Sequence, residues 1–281
     1  MNIKVFCYRT VLFMLLEIFI YFLVAVLFYT TSILVLQMIL VFVAGTRLHA
    51  LGILMHEGVH WHISENLKLN DLITNCLAGY WIFLPVQNYR TAHFAHHNHP
   101  FSKGDYDWQN KVKENNWHFP MSWKKFMFFL ASGLFYQWRL YPYRCKTFFL
   151  DMKSQWGSRF FIIIFLLLVF YFPSYVFFLW LVPILIITPV LTRLRTIGEH
   201  FALDEVRCSA LMARDFHPKF WEKILIFPYN VSLHKTHHQY PHLPFYDLSS
   251  AIETKEILKK QFFGLKKTAV MASILALKSR S

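Results

Sequence analysis

Four apolar stretches dominate the pattern of hydrophobic and polar residues along the chain. They occupy residues 11–29, 33–55, 160–172 and 175–191. A transmembrane helix needs about 20 predominantly apolar residues. The stretches fall into two pairs, and a short polar or proline-containing break separates the members of each pair, at residues 30–32 and 173–174. The pattern therefore predicts an all-α membrane protein with four transmembrane helices arranged as two hairpins.

The segment between the two pairs, residues 56–159, is basic and largely hydrophilic. It contains two shorter apolar stretches, at residues 72–84 and 126–138. Stretches of this length suit interfacial or re-entrant helices better than full spans. The chain turns polar again after Arg193. These polar regions predict a helical cap on the membrane helices. Since no repeat or linker divides the sequence, residues 1–281 are expected to form a single integral-membrane domain.

Composition favours a membrane protein over a soluble one. Hydrophobic residues make up 56% of the chain and charged residues 16%, whereas soluble domains average roughly 45–50% and 25%. The net charge of +13 would indicate nucleic-acid binding in a soluble protein, but here the basic residues lie between the apolar stretches. The positive-inside rule then places the N-terminus, the central segment and the C-terminus in the cytoplasm. We expect a multi-pass protein of the bacterial inner membrane or endoplasmic reticulum, without a nucleic-acid partner.

Clustered histidines are the strongest chemical signal in the sequence. Three clusters contain eight of the fifteen histidines, and within each cluster the spacing is i, i+3 or i, i+4, which brings side chains onto one helix face. The clusters are His56 and His60; His93, His96 and His97; and His234, His237 and His238. A tetrahedral site uses at most four ligands, so eight imidazoles predict two metal ions. Imidazole suits iron, copper, nickel or zinc, and a redox pair in a membrane oxidase favours iron.

Carboxylates beside the clusters are candidates for orienting the ligands. A metal-bound histidine usually donates its other ring N–H to a carboxylate or a carbonyl. Glu57 and Glu199 are each adjacent to a histidine in the sequence, so we expect them to take this role. Asp105 and Asp107 follow the second cluster, where they either orient ligands, contact a substrate headgroup or form a turn.

The first cluster has a competing interpretation. Residues 56–60 read HEGVH, which matches the HExxH signature of zinc metalloproteases, with Glu57 as the general base. An intramembrane protease needs one further ligand, however, and would leave the two later clusters unexplained. A non-enzymatic heme or metal carrier is the other alternative outside the oxidases.

Taken together, the clusters resemble the histidine boxes of the membrane fatty acid desaturase and hydroxylase superfamily. That family reads Hx(3–4)H, then HxxHH, then a late HxxHH, and the resemblance extends over residues 49–248. The third box is particularly similar, because Asn230 precedes it and Pro241 and Pro244 follow it. Glu199 and His200 resemble the segment in which the family has an additional histidine. Some members of that family have an asparagine four residues before this histidine. This chain has Thr196 there, so the role of that asparagine is not carried over.

The resemblance implies four transmembrane helices under a cytosolic cap that carries a di-iron centre. It adds His200 as a ninth ligand and Asn230 as a supporting residue, and it assigns no catalytic side chain beyond the ligands. The implied reaction is oxygen-dependent desaturation of a fatty acyl chain carried by a membrane lipid, coenzyme A or acyl carrier protein. Electrons would come from a ferredoxin or a small b-type cytochrome. Hydroxylation or ketolation of a lipid or carotenoid is the alternative within the same superfamily.

Overall fold

The computed structural model describes residues 7–119, 121–154, 156–201 and 212–252. Within these ranges the chain is helical, and an isolated antiparallel bridge joins Asp215 to Leu233. The helices are α1 Tyr8–Thr30, α2 Leu34–Val59, α3 Leu67–Thr74, α4 Val86–Asn98, α5 Tyr106–Glu114, α6 Trp123–Ser154, α7 Trp156–Tyr171, α8 Pro173–Phe201, α9 Phe220–Leu225 and α10 His234–Gln239.

The chain divides into two compact units. The first contains the described residues up to Arg90 together with Gln137–Pro189, and the second contains Thr91–Tyr136 and the described residues from Val190 onward. The first unit therefore holds α1 to α3, α7 and most of α8. The second holds α5, α9 and α10 and most of α4. The expectation of a single domain stays a prediction.

Three helices of the described chain are long and apolar enough to cross a membrane: α1, α2 and α8. The fourth predicted span corresponds to α7, an apolar helix of 16 residues, which at 1.5 Å per residue is about 24 Å long and shorter than a usual span. These helices mark a membrane protein, and the count of four spans stays a prediction.

Two prolines shape α8, and side chains from other helices compensate for them. Pro183 and Pro189 lie in or beside π-helical turns, because a proline donates no N–H to the carbonyl four residues earlier. Those carbonyls belong to Leu179 and Leu185. The Tyr21 hydroxyl donates to the Leu179 carbonyl at 2.8 Å, and the Trp138 indole donates to the Leu185 carbonyl at 3.1 Å. Such side-chain donors let a membrane helix tolerate proline.

Helix α2 packs closely against α8 through a glycine. A Cβ placed on Gly45 would lie 2.4 Å from Cγ2 of Ile187. Small residues at membrane helix contacts allow the backbones to approach one another in this way. The C-terminal end of α2 meets α3 by the same device, since a Cβ on Gly58 would lie 2.1 Å from the Thr74 hydroxyl oxygen.

A buried ion pair joins α1 to α2. The Arg47 guanidinium donates to both carboxylate oxygens of Glu17 at 3.1 and 3.2 Å, and Glu17 is only 3% exposed. The sequence pattern placed Glu17 inside an apolar stretch, where an ionisable side chain needs a partner. Arg47 supplies that partner.

Replacing Arg47 with methionine is expected to lower the stability of the detergent-solubilised protein by about 3–5 kcal/mol, because a buried carboxylate loses its counter-charge. Thermal unfolding followed by size-exclusion chromatography measures the change. The paired variant Glu17→Gln/Arg47→Met removes both charges and should recover most of the loss. Unchanged unfolding of Arg47→Met alone would show that the pair contributes nothing to stability.

The two short apolar stretches of the central segment form different structures. Residues 126–138 lie inside α6, a helix of 32 residues, so the short helix predicted there continues in both directions. Residues 72–84 form the end of α3, a π-helical turn at Asn75–Gly79 and a 3₁₀ turn at Tyr80–Ile82.

Candidate metal centre

The first predicted histidine pair lies at the C-terminal end of α2, in the first unit. The rings of His56 and His60 are 4.8 Å apart, centroid to centroid. Several contacts hold this helix end in place. The Arg90 side chain donates to the Val59 carbonyl at 3.0 Å, and the Asn70 amide donates to the Gly58 carbonyl at 2.8 Å. The helical spacing that the sequence indicated is therefore confirmed for this pair.

The second unit brings together four buried imidazoles from three elements. His96 lies on α4, His200 on the last turn of α8, and His234 and His238 on α10. Their ligand nitrogens all lie within 4.8 Å of one another. The Nε2 atom of His234 is 2.9 Å from that of His200 and 3.2 Å from that of His238. Four imidazole nitrogens that converge in this way form a set suitable for one transition metal.

Three further predicted ligands of the second unit form another group. The Nε2 atoms of His97 and His237 are 3.1 Å apart, and the rings of His93 and His97 have their centroids 4.4 Å apart. The HxxHH spacing explains how one helix serves both groups. On α10, His238 contributes to the four-imidazole group and His237 to this one. Seven of the nine predicted ligands therefore lie in two clusters within this unit, and participation of His56 and His60 stays a prediction.

Hydrogen bonds on the far side of several rings fix which nitrogen faces the cluster. The Nδ1 atom of His96 is 2.8 Å from Oδ2 of Asp105. The Nδ1 atom of His200 is 2.8 Å from the Met212 carbonyl oxygen. Acceptors at these positions hold the proton on Nδ1 and leave Nε2 as the ligand atom. Asp105 combines two of the three roles considered for it, because the carboxylate that orients His96 also caps α5 by accepting from the Trp108 N–H at 3.0 Å. The third role, contact with a substrate headgroup, stays a prediction.

Each of the three residues predicted to support the ligands has a polar partner in the structure. Oε2 of Glu57 is 2.9 Å from Nδ1 of His62, a histidine outside the predicted set. Oε1 of Glu199 lies 3.2 Å from the Arg195 guanidinium and 3.9 Å from Nδ1 of His234. Asn230 precedes α10, where its amide donates to the Phe245 carbonyl at 3.0 Å.

One supporting residue, Asp215, was missed by sequence reasoning. Asp215 is 6% exposed and accepts hydrogen bonds from both the backbone N–H and the hydroxyl of Thr236, in the first turn of α10. It therefore anchors the six-residue helix that carries three predicted ligands. Its separation from the third box is too long for a local capping signal, so only the fold reveals its role.

The electrostatics of the second unit favour neutral imidazoles. Burial, together with the nearby His96, lowers the pKa of His97 to about 4. Burial and the neighbouring histidines also lower the pKa of His234 and His238. Burial opposes ionisation of Asp105. Its hydrogen bond and charge interaction with His96, together with hydrogen bonds from two backbone N–H groups, outweigh this effect and lower the pKa of Asp105 to about 2. Neutral imidazole is the form that binds a metal, so the residues fit a metal centre.

Fold and site together define a helical membrane protein with clustered histidines that could hold metal ions. A family model for the fatty acid desaturases matches residues 32–262. The chain therefore belongs to the fatty acid desaturase family, which confirms the resemblance found in the sequence. Searches of curated proteins and of solved structures give no significant match.

Proposed function

We propose that this protein introduces a double bond into a fatty acyl chain, with two iron ions, molecular oxygen and electrons from an external donor. The observation that carries the proposal is the convergence of His96, His200, His234 and His238, all buried, with their ligand nitrogens within 4.8 Å of one another. Family membership directs the chemistry of such a centre to fatty acyl chains. The alternative of an HExxH zinc protease is not favoured, because a protease would leave this group of four histidines without a role.

The protein's own contribution is to hold neutral imidazoles in place. When bound, iron supplies the oxidising chemistry needed to remove hydrogen from an unactivated C–H bond. The two hydrogens lost by the acyl chain, two electrons and two further protons reduce one oxygen molecule to two waters. Asp105 and the Met212 carbonyl keep the His96 and His200 rings in one orientation. Burial keeps the imidazoles of α10 uncharged, which spares bound cations from repulsion.

The partners and orientation form part of the same proposal. A ferredoxin or a small b-type cytochrome delivers the electrons, and the acyl substrate arrives from a membrane lipid, coenzyme A or acyl carrier protein. The chain crosses a bacterial inner membrane or the endoplasmic reticulum membrane four times, with the metal centre on the cytoplasmic side. The concentration of basic residues in the segments between apolar stretches supports this orientation.

Lipid mass spectrometry tests the proposal. Expression in a host that lacks the activity should yield fatty acids lighter by two hydrogens than their precursors, and the purified protein should contain two irons per chain. Products that gain an oxygen atom would instead establish a hydroxylase. A single zinc per chain would indicate the protease, and a Soret absorbance band would indicate a heme protein.

A further inference from the structure

Helix α9, Phe220–Leu225, presents aromatic and basic side chains on the surface of the second unit. Phe220 is 81% exposed and Trp221 is 48% exposed. Lys219, immediately before the helix, and Lys223, within it, are also exposed. Large apolar side chains that are exposed next to one another often mark a surface that contacts a protein partner or a membrane.

The acidic residue of this helix faces inward. Glu222 is 1% exposed, and its carboxylate accepts from the Lys219 backbone N–H at 2.7 Å, which caps the N-terminal end of the helix. Since the carboxylate is buried, the exposed side chains of α9 carry positive charge only. Its outer face therefore combines an aromatic pair with two lysines.

We propose that this face of α9 lies in the headgroup region of a membrane that contains anionic lipids. Tryptophan and phenylalanine are favoured at the boundary between headgroups and acyl chains, and lysine ammonium groups attract anionic headgroups. An acidic protein would match the lysines, but it would leave unexplained an aromatic side chain as exposed as Phe220. The start of α6 repeats the combination, with Trp123 57% and Phe128 70% exposed and Lys124 and Lys125 exposed between them.

The segment after α9 connects this surface to the metal centre. Phe227 is fully buried and packs edge-on against Phe216, with ring centroids 4.8 Å apart. Both rings lie over Gly198, where an added Cβ would be 2.8 Å from Phe227. Gly198 is two residues before the predicted ligand His200. A lipid contact at α9 therefore holds at the bilayer surface the segment that contains Phe227. That segment packs beside Gly198, close to the predicted ligand His200.

Site-directed fluorescence tests this lipid contact without reference to catalysis, so its failure would leave the proposed desaturase function intact. In the full chain with its four cysteines replaced by serine, Phe220→Cys is labelled with the dye NBD and reconstituted in nanodiscs of equal parts phosphatidylcholine and phosphatidylglycerol. The exposed position Ser249, changed to cysteine and labelled alike, is the matched control. A single symmetric peak in size-exclusion chromatography verifies that each labelled variant is folded.

Brominated lipids are expected to quench the dye at position 220 at least about threefold more strongly than aqueous iodide does. Lys219→Glu/Lys223→Glu should weaken this lipid quenching, and nanodiscs of phosphatidylcholine alone should weaken it as well. Strong iodide quenching at position 220, equal to that at position 249, would overturn the proposal. Protection from iodide that appears only after a reduced ferredoxin is added would also overturn it and assign the surface to a protein partner.

Discussion

Replacing His237 or His238 with alanine is expected to abolish product formation and to remove about one metal ion per chain in each case. The two residues are adjacent, yet His238 belongs to the four-imidazole group and His237 lies 3.1 Å from His97 in the other group. Loss of a residue that merely supports a ligand lowers metal affinity or activity about 10- to 100-fold. Loss of a ligand itself should therefore reduce product formation by more than about 100-fold.

Metal analysis and lipid mass spectrometry on the same preparations measure both effects. The double variant should retain neither metal ion. His242→Ala is the matched control, because His242 is exposed and lies close to the third box in sequence; it should keep the metal content and activity of the parent. Full activity in both His237→Ala and His238→Ala would exclude the metal assignment. Loss of both ions in each single variant would show instead that the two groups do not bind metal separately.

The clustering of the predicted ligands could be anticipated from the sequence, because its signal is local; their role as metal ligands stays a prediction. Within each HxxHH box, the spacing alone places three imidazoles on one side of a short helix, and the structure shows this on α4 and α10. The distribution of these imidazoles between two groups required the fold. His96 groups with His200 and His238, which come from distant parts of the sequence.

The residues that support the ligands were harder to predict, because their contacts are not local. Asp105 is close enough to the second box to be a candidate, and the structure assigns it to His96. Asp215 reaches α10 through the bridge between its own backbone and that of Leu233, for which the sequence gives no periodic signal. Glu57 was predicted from adjacency alone, and its carboxylate lies beside His62.

Helix lengths were predicted least well where hydropathy was the only guide. The apolar core of α6 was identified at residues 126–138, but its polar continuation was not, because helix propensity and packing rather than hydropathy extend a helix past its apolar part. The π-helical turns of α8 follow from Pro183 and Pro189, each of which removes a backbone hydrogen bond from the helix. The donors that compensate for them, Tyr21 and Trp138, come from other helices.

Replacing Asp105 with alanine is expected to weaken metal binding about 10- to 100-fold. Asp105 is 1% exposed, and its carboxylate receives hydrogen bonds from the Nδ1–H of His96 and from the backbone N–H groups of Phe101 and Trp108. Alanine would leave the His96 ring free to rotate or change tautomer. It would also remove the cap of α5, at a cost of about 1 kcal/mol in stability.

An asparagine at position 105 separates the two roles of this carboxylate. Its amide oxygen can accept from His96 and Phe101, but its NH₂ group would then face the Trp108 N–H. Asp105→Asn should therefore lose the cap while keeping most of the metal affinity, which titration of the metal-free protein with Fe²⁺ would measure. Asp107→Ala is the control, because that side chain is 58% exposed and pairs with Lys111. If Asp105→Ala bound iron as tightly as Asp107→Ala, Asp105 would be a helix cap without influence on His96.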